Sequence, residues 1–363
     1  MKECPRCFAP AERAGLSCSA PHCGRAGIPL EDAEALPGAG KKPVCPACGS
    51  RLTVRICREC GFSTDLSAGA KETLSISLVG ATGSGKSCML ATMLHELGGD
   101  FGRLHGAALY PTGGDRTMSQ YERLYHTPLY EQGICVPATD EEIDPLTWAL
   151  VFGGQENAGR ALGLTLYDSC GATFKSEQQM SRYNRSLYHS SAIFFLIDPR
   201  QFPAPREALG KGRRKKTAAP VEDNPQKLLL RTIHLIRAGL SMEGVDKKLP
   251  MPIAVCLTKM DTMFPFLDKA SFLADPSRHL RRPMLSATDF SSCDLETRSL
   301  IESWGGREFI AHVESQFTKS AFFGLSSLGG QPGSRNEILR VAPHRVLDPL
   351  LWLMWKGQVL KTG

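Results

Sequence analysis

From Thr73 onward, short apolar runs alternate with stretches of helical spacing. Leu74 to Val79, Leu146 to Phe152, Ala161 to Tyr167, Ala192 to Ile197, Ile253 to Leu257 and Ala321 to Leu325 have the length and apolar content of buried strands. Helical patterns run over Lys86 to Leu97 and, with Asn224 as N-cap and Pro225 in the first turn, up to Leu240. This alternation predicts an α/β domain over residues 73–363, with a mostly parallel central sheet and helices on both faces. Phe202 to Gln226 interrupts it. Rich in proline and carrying Lys211-Gly212-Arg213-Arg214-Lys215-Lys216, this stretch reads as a basic, flexible surface loop.

Residues 1–66 have a different texture, rich in cysteine, proline and glycine, with no apolar run long enough to bury a core. Metal is expected to order them. Of the 13 cysteines, eight fall in the first 60 residues, a clustering that points to metal binding rather than to secretion. Cys45-Pro-Ala-Cys48 and Cys57-Arg-Glu-Cys60, each followed by glycine, have the spacing of two knuckles around one tetrahedral Zn²⁺. Cys4-Pro-Arg-Cys7 with Cys18 and Cys23 supplies a looser second site, His22 being an alternative fourth ligand. Sequence order thus predicts two zinc ribbons side by side, conceivable as a duplicated unit. Such ribbons dock proteins or read nucleic acid; no aromatic-rich face favours the second.

Charge adds little. The formal balance of +6 falls to about +2 once eight thiolates hold two zinc ions, so neither nucleic acid nor an anionic membrane is indicated. No apolar stretch reaches the ~18 residues of a membrane-spanning helix, and a Cys-Pro-Arg-Cys motif stands where a secretory leader would be apolar. A cytoplasmic location is expected.

Gly80-Ala81-Thr82-Gly83-Ser84-Gly85-Lys86-Ser87 fits G-x-x-x-x-G-K-[ST] in full, behind an apolar strand and at the head of a helix. Amides of such a P-loop, here Gly83, Ser84, Gly85 and Cys88, cradle phosphates. Lys86 spans the β- and γ-phosphates and the Ser87 hydroxyl reaches Mg²⁺. ATP and GTP both remain open at this point. Asp168-Ser169-Cys170-Gly171, after the strand ending at Tyr167, resembles the D-x-x-G motif of GTPases, in which the aspartate serves Mg²⁺ and the glycine amide senses the γ-phosphate. Thr258-Lys259-Met260-Asp261 resembles [NT]-K-x-D. A carboxylate there accepts hydrogen bonds from guanine N1–H and N2, whereas adenine would leave it buried and unpaired. The Lys259 stem would cross the base plane, and Ser326-Ser327-Leu328-Gly329 is a partial counterpart of the last guanine-contacting loop.

In this order the motifs resemble the Ras-like branch of the TRAFAC GTPases. Leu196-Ile197-Asp198-Pro199 and Asp348-Pro349-Leu350-Leu351-Trp352-Leu353, with the P-loop and Thr258 to Asp261, narrow the resemblance to bacterial double-GTPase families associated with conflict systems. This implies GTP or GDP with Mg²⁺ as ligands and switching between two nucleotide states. Three departures qualify the expectation. Ala172 stands where Ras-like enzymes carry a water-orienting glutamine, so hydrolysis should be slow or completed by another group; Lys175, Gln178 and Gln179 lie near in sequence. The threonine that completes the GTP state is one of Thr127, Thr139 and Thr147, with Thr139 favoured by its loop-before-strand setting. An arginine finger in cis would be Arg160, Arg182 or Arg185, and the basic loop around Arg213 is a secondary candidate for nucleic acid or an acidic partner. The leading expectation is a GTP-binding switch that signals through its ribbons or switch regions to a protein partner. The competing one is a zinc-ribbon adaptor that holds guanine nucleotide without turnover.

Overall fold

The computed structural model describes residues 3–20, 22–24, 43–137, 143–153, 159–175, 178–179, 184–210, 224–244 and 247–361. Its strands are β1 (Ala14–Ser17), β2 (Val54–Cys57), β3 (Ser63–Asp65), β4 (Glu72–Val79), β5 (Ala107–Pro111), β6 (Leu146–Phe152), β7 (Ala161–Asp168), β8 (Ala192–Ile197), β9 (Ile253–Leu257) and β10 (Ser320–Gly324). The main helices are α1 (Lys86–Glu96), α2 (Gly114–Tyr121), α3 (Pro203–Gly210), α4 (Pro225–Gly239), α5 (Ala287–Ser303), α6 (Arg307–Gln316) and α7 (Asp348–Lys356). The chain forms two compact units.

The first comprises Met1–Leu74, Gly106–Tyr121 and Asp144–Leu166. Within it β1, β2 and β3 form a small antiparallel sheet, with Ala14 opposite Cys57 and Ser17 opposite Val54. Its apolar content is slight: Leu52 packs with Cys18, Cys23 and Cys45, and Phe62 with Cys4 and Cys57. The rest of the unit is an antiparallel arm, β5 against β6 and β6 against β7. Polar contacts tie the cysteine-rich part to this arm: the Asp65 N–H donates to Thr112 O at 2.5 Å, and Arg6 Nε lies 2.7 Å from Asp144 Oδ1. Gln120 on α2 donates to the Asp144 carbonyl at 2.7 Å.

The second unit comprises Ser75–His105, Glu122–Ile143 and Tyr167–Gly363. Here the parallel strands are neighbours in the order β10-β9-β8-β4. Ile193 faces Ile253, and Ile76 faces Ala192. Every residue of β8 and β9 is buried, which explains why both read as uninterrupted apolar runs rather than alternating ones. Helix α4 buries Leu228, Leu229, Thr232, Ile233 and Ile236, a stripe of helical period, each large side chain stabilising the fold by roughly 1.5–3 kcal/mol. Its N-cap is Asn224, whose side chain accepts from the Gln226 N–H at 2.8 Å, and Pro225 opens the first turn. The outward N–H of Phe322 on β10 donates to Asp294 Oδ1 of α5 at 2.7 Å, so the helix covers a backbone donor that an open edge would offer to another strand.

Two readings of the sequence change. Pro203–Gly210, expected within a flexible loop, is helix α3: Pro203 and Pro205 lie in the first turn, where a missing N–H costs nothing, and good helix formers follow. The basic run around Arg213 lies outside the described residues. Strand β5 went unread, because Ala-Ala-Leu-Tyr-Pro has neither a strong apolar run nor alternation.

Candidate functional site

The motif residues gather within the second unit at the carboxyl ends of β4, β8, β9 and β10, where open parallel sheets bind ligands. The P-loop follows β4 and leads into α1. Lys86 is almost wholly buried and donates to the carbonyls of Gly80 and Ala81 at 2.8 and 3.2 Å. Burial pushes its pKa down to about 8 against the opposing pull of Asp168. Thr258 Oγ1 donates to the Ser84 carbonyl at 2.8 Å, fixing the loop from the turn that follows β9.

Asp168 closes β7, and its Oδ2 accepts from Ser87 Oγ at 2.7 Å. Tyr125 donates to the same oxygen at 3.1 Å. The two oxygens expected to serve Mg²⁺ are therefore adjacent, as neighbouring ligands of a small hard cation must be. Gly171 lies so close to the P-loop that a Cβ there would sit 2.7 Å from Thr82 Cα and 3.0 Å from Lys86 Nζ, which any larger residue forbids. Beyond it, Gly171–Lys175 forms one 3₁₀ turn in which Ala172 is exposed and Phe174 buried beneath the Lys86 ammonium, 5.8 Å from the ring centre. Asn184 steadies this turn through Thr173 Oγ1 at 2.8 Å.

In the turn after β9, Lys259 donates to the Gly83 carbonyl at 2.6 Å and to Asp198 Oδ2 at 2.8 Å. Burial alone would raise the Asp198 pKa; hydrogen bonds from Arg200 and the Lys259 charge override it and hold the carboxyl at about 2. Ser326 Oγ donates to Asp261 Oδ1 at 2.5 Å and accepts from the Gly329 N–H at 2.9 Å. Ser327 is buried beside it. Gly83, Ser84, Lys86, Ser87, Asp168, Gly171, Lys259, Asp261 and Ser326 thus form one connected set, with Gly85 and Cys88 on either side of the Lys86-Ser87 pair.

The other predicted positions fare differently. Thr139 and Arg182 lie outside the described residues. Thr147 belongs to the first unit, where its hydroxyl meets that of Thr117 at 3.3 Å. Gln178 and Gln179 are exposed, and the Lys175 side chain is outside the description. Asp198, Tyr125, Phe174 and Asn184 escaped sequence reading as site residues. Asp198 carried a usable signal, a carboxylate at the end of a wholly apolar strand; the other three had none.

The cysteines assemble differently from their order. Cys4, Cys7, Cys57 and Cys60 form one group, and Cys18, Cys23, Cys45 and Cys48 the other. The predicted partition, first four and last four, is corrected to a nested one. Antiparallel pairing of β1 with β2 is the cause: it carries the first knuckle to the last and leaves the two inner pairs to meet. His22 is exposed and belongs to neither group. The contacts Cys4–Cys60, Cys7–Cys57 and Cys18–Cys48 are 3.6 Å and Cys23–Cys45 3.7 Å between sulfurs. A tetrahedral zinc site with bonds of about 2.3 Å has edges of about 3.8 Å, so both groups fit the ion. Three knuckles share one backbone form, in which the fourth residue after the leading cysteine returns its N–H to that cysteine's carbonyl with positive φ: Phe8, Gly49 and Gly61.

Comparison with known proteins adds the family. The chain is 26% identical over 327 residues to a Mycolicibacterium smegmatis protein named "Putative ESX-1 scaffolding and assembly protein SaeC", covering 83% of this chain and 79% of that one. Among solved structures it is similar to the Trypanosoma brucei small GTPase Arl6 with a bound nucleotide analogue (12% identity, TM-score 0.34, covering 80% of this chain and 99% of that one). It is also similar to the Saccharomyces cerevisiae Ski7 GTPase-like domain bound to GDP and phosphate (13% identity, TM-score 0.37, 82% and 52%). Residues 74–312 match the Double-GTPase 2 family, and the chain belongs to that family.

Proposed function

We propose that the protein is a guanine-nucleotide switch whose nucleotide site is built from the P-loop, Asp168, Gly171, Lys259, Asp261 and the Ser326-Ser327 loop. The observation that carries this reading is Lys259, which reaches from the base-recognition loop to the P-loop carbonyl of Gly83 at 2.6 Å and so joins base and phosphate recognition in one side chain. Lys86 would exchange its two backbone carbonyls for phosphate oxygens, a stronger charged interaction. Ser87 and Asp168 would hold Mg²⁺, which when bound neutralises phosphate charge. Asp261, oriented by Ser326, would accept the guanine N–H groups. Thr139 remains the candidate for completing the GTP state.

Turnover in this reading is slow or partner-dependent, because Ala172 has no side chain with which to orient water. Single-turnover hydrolysis by the full chain tests it. The expected result is a slow Mg²⁺-dependent rate lost in Lys86→Ala; a rate comparable to that of a fast hydrolase, or one indifferent to Lys86, would contradict it.

The relative named for scaffolding and assembly favours a second reading, in which the nucleotide regulates a docking protein and the zinc ribbons meet its partner. Tight GTP binding with no turnover even in the partner's presence would select it. A role in a bacterial conflict system is the family-level form of either reading. Among the described residues no helix is long and apolar enough to cross a membrane. We place the protein in the cytoplasm as part of the same proposal.

A further inference from the structure

At the amino end of β10, the end away from the nucleotide motifs, a groove of about 470 Å³ opens on the outer edge of the strand. Its floor is aromatic. Trp352 is buried against Phe323, ring centres 6.0 Å apart, and the partly exposed Trp355 stacks parallel to Phe290 at 5.4 Å. The Lys356 ammonium sits 3.6 Å from the Trp355 ring centre, and Lys248 and Lys319 complete the rim. Two carboxylates also line the groove, those of Asp294 and Glu314. Arg298 bonds both, and Asp294 accepts the Phe322 N–H as well. With Arg298 counted, four cations stand against two anions. β10 adds backbone groups of its own. Ile253 of β9 donates to the Lys319 carbonyl at 3.0 Å, so alternate residues from Lys319 onward turn their backbone toward β9, and Ser320 and Phe322 turn theirs outward. Asp294 takes the outward N–H of Phe322, whereas the outward N–H and C=O of Ser320 open into the groove.

We propose that this groove docks an extended, acidic segment of a partner protein, independently of the nucleotide reading above. Carboxylates of the segment meet Lys248, Lys319 and Lys356, its backbone bonds Ser320, and an apolar side chain covers Trp352 and the edge of Trp355. Charge selects the sign of the occupant: the three ammonium groups repel a basic segment, and the neighbouring carboxylates are already engaged by Arg298. The strand edge selects its form. An extended chain presents N–H and C=O groups along its side, as Ser320 requires, whereas a helix keeps these groups within itself. The aromatic floor supplies the contact, since tryptophans covered by a partner are frequent anchors of interfaces. A planar small molecule is less well served, because Phe290 and Lys356 already engage the Trp355 ring. β10 runs five residues, about 17 Å, from Ser320 toward the loop at Ser326, so the docked segment and a nucleotide stand at opposite ends of one strand.

The test uses the zinc-loaded full chain and a fluorescein-labelled peptide of about eight residues alternating Asp and Val, followed by anisotropy at an ionic strength of roughly 0.15 M. Saturable binding is expected, at least about tenfold tighter than that of a peptide alternating Lys and Val. Lys319→Glu with Lys356→Glu, both at exposed positions, should weaken it about tenfold. Lys227→Glu with Lys269→Glu, the same charge change at exposed positions outside the groove, should leave it unchanged. Failure of the acidic peptide to bind, equal binding of the basic one, or equal loss in the two double variants overturns the proposal. A helix-forming peptide of equal charge that binds as tightly overturns the extended form. A single-stranded DNA of similar length that displaces the peptide at equal concentration makes the groove a general polyanion site and overturns the protein partner.

Discussion

Lys259 Nζ stands 2.8 Å from Asp198 Oδ2, and the pair is anchored further by Arg200, which donates to the same carboxylate. Because Asp198 is buried and its pKa is held at about 2, the folded state binds a proton less readily there than the unfolded chain. Its contribution is complete above the ordinary aspartate pKa of about 4 and is lost as pH falls through 2. Asp198→Asn should therefore cost about 2 kcal/mol at pH 7. Urea denaturation of both proteins should show that gap shrinking between about pH 4 and pH 2. A gap that widens on acidification would assign Asp198 the wrong sign.

Asp261 faces its partner Ser326 at 2.5 Å, which fixes the carboxylate proposed above to distinguish guanine. Asp261→Asn replaces an acceptor by an amide with one donor arm, suited to xanthine, whose C2 carries oxygen. Calorimetric titration should find GTP weakened on the order of a hundredfold and XTP strengthened. Unchanged GTP affinity would remove Asp261 from the base site.

The nested cysteine groups make a stoichiometric prediction. Cys4→Ser with Cys60→Ser strikes one group and should lose one zinc per chain, whereas Cys4→Ser with Cys18→Ser strikes both and should lose two. The sequential grouping predicts the reverse. Metal analysis of the purified variants decides between them.

Arg345 is wholly buried between Asp289 and Asp348, with Nη1 at 2.9 and 2.8 Å from their carboxylates. Arg345→Met strands two buried carboxylates and should destabilise the protein by about 3–5 kcal/mol. Replacing both aspartates by asparagine in the same chain should recover part of that loss. Since His344 exchanges backbone bonds with Ser326, the single variant should also weaken guanine binding, measured by the same titration.

What the sequence disclosed follows from range. β8 and β9 were legible to the residue because full burial makes a strand a plain apolar run, and Asn224-Pro225 announces α4 through local capping chemistry. P-loop, Asp168-to-Gly171 and Thr258-to-Asp261 segments were readable because each carries its chemistry within a few residues. The pairing of the cysteines was not: which knuckle meets which is decided by β1 folding back on β2, a contact between residues about forty positions apart. Asp198 and Tyr125 act through tertiary neighbours, Lys259 and Asp168, that no spacing rule connects.

The central claim, that this site binds guanine nucleotide, is tested most directly by titrating the zinc-loaded full chain with GDP and with ADP in the presence of Mg²⁺. A guanine preference of roughly a thousandfold or more is predicted, since adenine would leave the Asp261 carboxylate without its donors. Equal affinity for the two nucleotides, or none for either, would contradict it.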